Sequence, residues 1–274
     1  ALESSFVWFP YNKGGEYRKW YGNREYIVNW KQGGHEIKNF KTEKGKIASR
    51  PQNIQYYFRD SLTWSALSKE LSVRWCENGF IFDSKGSSMF FNDILLKETT
   101  IAFLNSKISS ILLNILSPTL DFNVGPMGLV GLYTEKIPKG INSIAQELIK
   151  LSMVDWNSYE TSWDFEQLPM LTDTFRKETI AASYSAWREQ NAADIAETKR
   201  LEEENNRLFI DAYGLQDEIT PDVPIEQITL TVNPRYRYKA DGTDAELEER
   251  FKADSIKELI SYIIGCYMGR YSLD

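Results

Sequence analysis

Over the first 97 residues, short aromatic and β-branched runs alternate with breaks rich in glycine and asparagine. FVWF at 6–9, EYIVNW at 25–30, NIQYYF at 53–58, GFIFD at 79–83 and SSMFF at 87–91 predict strands. Gly14-Gly15, Gly22-Asn23, Gly33-Gly34 and Asn78-Gly79 punctuate them. Asn78-Gly79, between SVRWCE and FIFD, predicts a hairpin. Near residue 97 the period changes. ETTIAFLNSKISSILLNILSP at 98–118 predicts one apolar helix, packed on the sheet and stopped by Pro118. A Gly/Pro-rich stretch follows, with a strand expected over 129–133. From 141 onward the pattern is helical. INSIAQELIKLSMVDW reads as one helix, YETSWDFEQLPML as a tryptophan-rich connection, and about 173–213 as a long helix. Along that helix the seam is apolar at Ile180, Tyr184 and Trp187 and again at Leu201 and Leu208. Between its apolar ends lie Asn191, Asp194, Thr198 and Asn205, which predicts a helix that packs at two places and bridges solvent between them. The run EEEN at 202–205 reads as a solvated face. A proline-containing linker is expected at 219–230. The last helix, about 244–268, is expected to be capped by Asp244, with Leu247, Phe251, Ile256, Ile260 and Ile263 on one face. The expected fold is α+β: a mostly antiparallel, β-rich domain over 1–137 with a packed core helix, then a helical region over 138–274 with one long helix.

Composition narrows the chemistry. The 274 residues are 42% hydrophobic and 26% charged, which excludes collagen-like and disulfide-scaffold classes. No apolar window is long enough for a membrane span. The start, ALESSFVWF, has no basic n-region and predicts a fragment of a longer chain. Cys76 and Cys266 form no CxxC, which fits a reducing cytoplasm. A single histidine, His35, rules out two-histidine zinc sites and reads as a loop residue. No GxxxxGK[ST] or GxGxxG is present. The glycine-rich segment from Asn123 to Gly128 carries a proline where a phosphate-binding amide is needed. Asn233-Pro234-Arg235-Tyr236 resembles the Asn-Pro-Pro-aromatic motif of amino-methyltransferases, but arginine replaces the second proline, so it is rejected as catalytic. No catalytic or metal residue is assigned.

Charge is unevenly divided. Residues 1–107 hold 16 Lys+Arg against 11 Asp+Glu, a balance of +5, and the remainder carries −12 of the total −7. A basic, aromatic first part points to a polyanion. In NKGGEYRKWYGN, Lys13, Arg18 and Lys19 supply phosphate-neutralising charge, and Tyr21 a stacking face. The equally weighted alternative is a basic surface hairpin with Trp20 in the core. A second basic cluster, Lys38, Lys41, Lys44, Lys46 and Arg50, runs into Arg50-Pro51-Gln52-Asn53. Arg50, Gln52 and Asn53 are side-chain types that read base edges: arginine suits guanine, and glutamine or asparagine suits adenine.

WFPYNKGGEYRKWYGNREYIVNW, SRPQN with YYF and SLTWSAL, GFIFDSKGSS and IAFLNSKISSILLNILSPTLDFNVG occur in order, followed by VDWNSYETSWDFEQLPML, NRLFIDAYGLQDEITPDV and IGCYMGRYSLD. Together they resemble the C-terminal part of the BREX phage-defence adenine methyltransferases (PglX-like), across essentially the whole chain. The resemblance implies a parent that transfers a methyl group from S-adenosylmethionine to the exocyclic amine of adenine in a short non-palindromic site. It implies that the catalytic domain lies before this chain, so no cofactor is expected in the fragment. It implies a target recognition domain at 1–137 and a helical spacer and C-terminal region at 138–274. Expected partners are double-stranded DNA, the missing methyltransferase domain and other BREX proteins, with no membrane. The alternative is a protein-docking module that does not itself read DNA.

Overall fold

The computed structural model describes residues 6–93, 95–116, 122–239 and 242–271. Pro118, the expected helix stop, lies outside them. The protein is α+β. It divides into two compact units, one of residues 1–153 with 201–222, the other of 154–200 with 223–274.

The first unit carries two three-stranded sheets where the sequence suggests one. In the first sheet, β1 (Trp8–Asn12) lies between antiparallel β2 (Tyr26–Asn29) and parallel β5 (Ile81–Phe82). In the second, β3 (Ser61–Ser65) lies between antiparallel β4 (Val73–Cys76) and β6 (Gly86–Met89). The expected Asn78-Gly79 hairpin does not form, because β4 and β5 join different sheets. Gly79 still turns the chain at φ +100°. NIQYYF is also no strand: Ile54–Tyr56 is a 3-10 turn entered through Asn53 in the left-handed region. The two sheets meet where β6 passes under the end of β1. A Cβ on Gly86 would lie 2.2 Å from the Asn12 carbonyl oxygen, so only glycine permits that approach.

The apolar segment after the sheets is two helices, α2 (Leu95–Leu104) and α3 (Lys107–Leu116), bent by 69°. Side-chain bonding accounts for the bend. Asn105 turns toward β4, accepting from Val73 N and donating to Val73 O, both at 2.9 Å. The freed amide of Lys107 donates to Asn206 Oδ1 at 3.0 Å. Ile101, Phe103, Ile108 and Leu113 are buried, so these helices form core. The expected strand at 129–133 is absent; α4 (Val124–Leu129) ends there, and residues 130–133 are irregular. Among the described residues no single helix is long and apolar enough to cross a membrane.

The helices α5 (Ile141–Asn157) and α6 (Ile180–Tyr213) each contribute to both units. α6 begins at Ile180 rather than near 173. Its polar seam is not a solvent bridge, since Asn191, Thr198, Glu202 and Asn205 are buried. In the first unit Asn205 donates to Ala102 O at 3.0 Å, and Phe209 meets Phe103 edge-on at 5.4 Å. In the second unit, Trp187 and Ile195 pack with Leu168, Met170, Phe251 and Leu259. The expected linker 219–230 contributes Val223, Ile228 and Leu230 to buried positions, so it is not a free tether. Asp155 fixes the end of that stretch by accepting from Thr231 N at 2.7 Å and Val232 N at 3.0 Å. The turn α7 (Pro234–Tyr238) follows, then α8 (Asp244–Tyr267). Thr243, not Asp244, caps α8, in a capping box with Glu246; Asp244 instead pairs with Arg235 at 2.7 Å. Leu247, Phe251, Ser255 and Leu259 are the buried stripe of α8, whereas Ile256, Ile260, Ile263 and Ile264 lie on an exposed one.

Candidate nucleic-acid interface

The loop from Asn12 to Arg24 does not present its cations as a surface. Arg18, Lys19 and Tyr21 are all buried, which corrects their expected placement on a DNA-facing surface. Arg18 Nε donates to Tyr21 O at 2.6 Å, and its Nη2 donates to Ser152 O at 3.3 Å. Lys19 Nζ lies 2.6 Å from Glu202 Oε2, and Trp20 Nε1 donates to Glu202 Oε1 at 2.8 Å. Burial pushes the Lys19 ammonium down, but the Glu202 carboxylate, helped by Tyr17, outweighs it and holds the group above the usual lysine range. Trp20 adopts φ +68°, unusual for a non-glycine residue, and is held there by Trp20 N to Val73 O and Trp75 N to Trp20 O bonds. Tyr21 carries the Arg24 guanidinium over its ring at 3.8 Å, and Arg24 also pairs with Glu77. Trp20 is thus core, as the alternative reading of this loop expects. Glu202, expected on a solvated face, is its anchor. Of this cluster only Lys13 is exposed, with its ammonium 4.8 Å over the Tyr26 ring.

The second basic cluster has the opposite geometry. After β2, α1 (Lys31–Lys38) opens on three left-handed residues, Gln32, Gly33 and Gly34. A Cβ on Gly34 would sit 2.6 Å from the Trp30 ring, so this glycine lets the turn seat against the indole. The chain then doubles back in a small ribbon. Thr42 N donates to Lys46 O and Ala48 N to Phe40 O, both at 2.8 Å, and Lys41 bridges Ile47. Gly45, at φ +75°, turns its tip. Lys31, Lys38, Lys41, Lys44, Lys46 and Arg50 are all exposed, and among the described residues none of the six is in an ion pair. Glu36 and Glu43 are the acidic residues in this stretch. Phe40 and Ile47 are exposed on the ribbon as well.

From the ribbon the chain runs along the wall of a cleft of about 690 Å³. Arg50, Gln52 and Asn53 line it together, so this sequence-predicted trio is brought to one place, apart from the buried Arg18, Lys19 and Tyr21. Tyr11, Trp30, Tyr57, Phe82 and Phe90 supply aromatic walls. Tyr56 and Phe90 stack at 4.9 Å and 28°, with the Arg59 guanidinium 5.3 Å from the Tyr56 ring. Asp83 is the carboxylate in the lining. Its Oδ1 accepts from Lys85 N and Gly86 N, and its Oδ2 from Tyr11 OH at 2.7 Å. Burial, and then that bond, push the Tyr11 phenol above its usual range, so it stays a donor.

No protein-family model matches the chain. The whole of this chain matches, at 40% identity over 278 residues, the adenine-specific methyltransferase PglX of Lacticaseibacillus casei (strain Zhang). It is 34% identical over 274 residues to the adenine-specific methyltransferase BrxX of Escherichia coli O9:H4 (strain HS), which covers 97% of it. The chain is homologous to one segment of the BREX adenine-specific methyltransferases. It spans about a fifth of the length of these curated relatives, 22% and 21%. Asn233 serves structure: it caps α7 through Arg235 N and donates to Ile225 O and Ile228 O. Among the described residues no His, Cys, Asp or Glu group is arranged to hold a metal ion.

Sequence reasoning missed the anchoring role of Glu202 and the Tyr56–Phe90–Arg59 stack. The stack had a local signal in YYF followed by Arg59. Glu202 had none, because its partners lie more than 180 residues away.

Proposed function

We propose that this chain is the DNA target-recognition part of an adenine-specific methyltransferase of the BREX type, in the C-terminal part of the parent. Residues 1–137 read the DNA, and residues 138–274 form the helical spacer and C-terminal region. The parent takes its methyl group from S-adenosylmethionine and modifies the N6 amine of adenine. The observation that carries this reading is the exposed ribbon over 40–48, with Lys41, Lys44 and Lys46 free of ion pairs. A two-stranded ribbon is one of the elements that fit the major groove. Its lysines meet phosphates and position the domain, whereas Arg50, Gln52 and Asn53 supply side chains able to discriminate bases. Lys13 adds an exposed cation on the same unit.

The test is salt-titrated binding of the 274-residue chain to duplex DNA by fluorescence anisotropy. A steep negative slope of log affinity on log salt is expected. Lys41→Ala, Lys44→Ala and Lys46→Ala should each flatten it by about 0.9. Gln52→Ala or Arg50→Ala in the full-length parent should relax preference at one base pair, read by methylation-site sequencing. Duplex binding that does not respond to salt or to the lysine changes would refute this reading. For residues 138–274 a protein-docking role is favoured by one observation, the exposed stripe Ile256, Ile260, Ile263, Ile264 and Tyr267 on α8.

A further inference from the structure

The cleft is the wrong shape for the role the ribbon fills. An element that reads base edges in a duplex must project into a groove, and the exposed ribbon has the form to do so. A concave site of about 690 Å³ instead falls within the roughly 300–1,000 Å³ of sites that enclose a single small molecule. Its lining combines aromatic side chains with the polar groups of Arg50, Gln52, Asn53 and Asp83. Tyr56 and Phe90 form a preformed stack in which Tyr56 is exposed, beside the buried edge-on pair of Trp30 and Tyr57 at 5.2 Å. An exposed aromatic face receives any base by stacking. The Gln52 and Asn53 amides each offer a donor and an acceptor, and Asp83 is held as an acceptor by two backbone amides and the Tyr11 hydroxyl. The Asp83 charge disfavours a phosphate deep in the cleft, whereas the exposed Arg50 suits one at the rim.

We propose that this cleft binds one unstacked nucleotide, its base against the exposed Tyr56 ring and its phosphate beside Arg50. The proposal deepens the recognition reading and rests on it for the DNA source of that nucleotide. It is a binding role and involves no chemistry on the base. The same chemistry is offered by a nucleotide swung out of a duplex and by a free mononucleotide. Extrusion is cheapest at a mismatched or unpaired position.

The experiment measures binding of the 274-residue chain to three fluorescein-labelled probes and to unlabelled dAMP and dGMP. The probes are a 16-bp duplex, the same duplex with one unpaired central nucleotide, and its single strand. Preference for the unpaired-nucleotide duplex over the perfect one, lost about tenfold or more in Tyr56→Ala or Phe90→Ala, supports the proposal with DNA as source. Displacement of the single strand by millimolar dAMP or dGMP in the parent, absent in those variants, supports it with a free nucleotide as source. Circular dichroism and melting confirm that both variants remain folded; should either fail to fold, Gln52→Ala with Asn53→Ala provides the same readout. Equal binding of both duplexes, with no displacement by mononucleotides, overturns the proposal. A steep salt slope on the perfect duplex would then leave the recognition reading standing. If no DNA binds at all, the recognition reading falls, and dAMP or dGMP binding measured by titration calorimetry decides the cleft alone: heat lost in Tyr56→Ala supports the proposal, and no heat in the unchanged chain overturns it.

Discussion

Replacing Glu202 with glutamine isolates one buried charge. Glutamine retains an oxygen for the Trp20 indole N–H, now 2.8 Å from Oε1, but removes the counter-charge 2.6 Å from the Lys19 ammonium. At an effective dielectric near 20 that attraction is about 6 kcal/mol. It is offset in the parent by the cost of taking both ions out of water, several kcal/mol each. The substitution deletes the attraction and leaves the Lys19 desolvation in place, for a loss of about 3–5 kcal/mol. A ceiling follows independently. Lys19 can shed its proton instead, which at pH 7 costs about 1.4 kcal/mol for each unit below its ordinary value near 10.4, or about 5 kcal/mol. For a unit of this size the expected fall in Tm is about 6–20 °C, read by calorimetry or far-UV circular dichroism. The pH dependence carries the sign. In the parent the folded pKa is raised, so the pair's contribution is fully present below about pH 10.4 and is lost as pH climbs through the raised value. In the variant, deprotonating Lys19 becomes cheaper toward pH 10, so the gap between the two proteins should narrow there. Lys19→Met combined with Glu202→Gln should recover most of the loss. A Glu202→Gln protein melting within about 2 °C of the parent at pH 7, or a gap that does not narrow in alkali, would show that the pair is not an anchor.

Three further outcomes are expected. With a thiol-reactive dye, Cys266 should label within minutes, while Cys76, whose thiol is pushed up by burial, should label only on unfolding; prompt labelling of both would contradict this. Gly86→Ala should destabilise by about 1–3 kcal/mol in urea unfolding, because the new methyl meets the Asn12 backbone rather than a movable side chain. Asp155→Ala removes a buried carboxylate that accepts two backbone N–H groups, and should cost about 2–4 kcal/mol. Hydrogen exchange at the Thr231 and Val232 amides should rise most, and unchanged protection there would count against it.

Much of the secondary structure was legible because it is local. Aromatic and β-branched runs marked β1, β2, β5 and β6, and the apolar period marked α5, α6 and α8. The bend between α2 and α3 was hidden, because Asn105 leaves the helical pattern for a partner on β4 that only the fold supplies. The polar seam of α6 misled for the same reason. Glutamate and asparagine read as solvent-facing until Lys19 and Ala102 are seen opposite them. Arg50, Gln52 and Asn53 are neighbours in sequence, and all three line the cleft. Lys19 and Arg18 were not separable from surface cations by composition, since a buried lysine and an exposed one are the same letter. What distinguishes them is the partner the fold brings within reach, Glu202 for Lys19 and the Ser152 carbonyl for Arg18, and both lie far away in sequence.

Asn105 also bears on how the second sheet ends. Its amide occupies both outward-facing backbone groups of Val73, with Trp20 continuing alongside, so an outer strand is replaced by a side chain and one residue of loop. An open strand edge invites pairing with any extended peptide. Here that invitation is withdrawn along β4, so a partner protein cannot lengthen the sheet on that side by strand addition. Asn105→Ala should free only the Val73 N–H, because Trp20 keeps its bonds to Val73 O and Trp75 N, so the edge should stay closed to strand addition even in that variant.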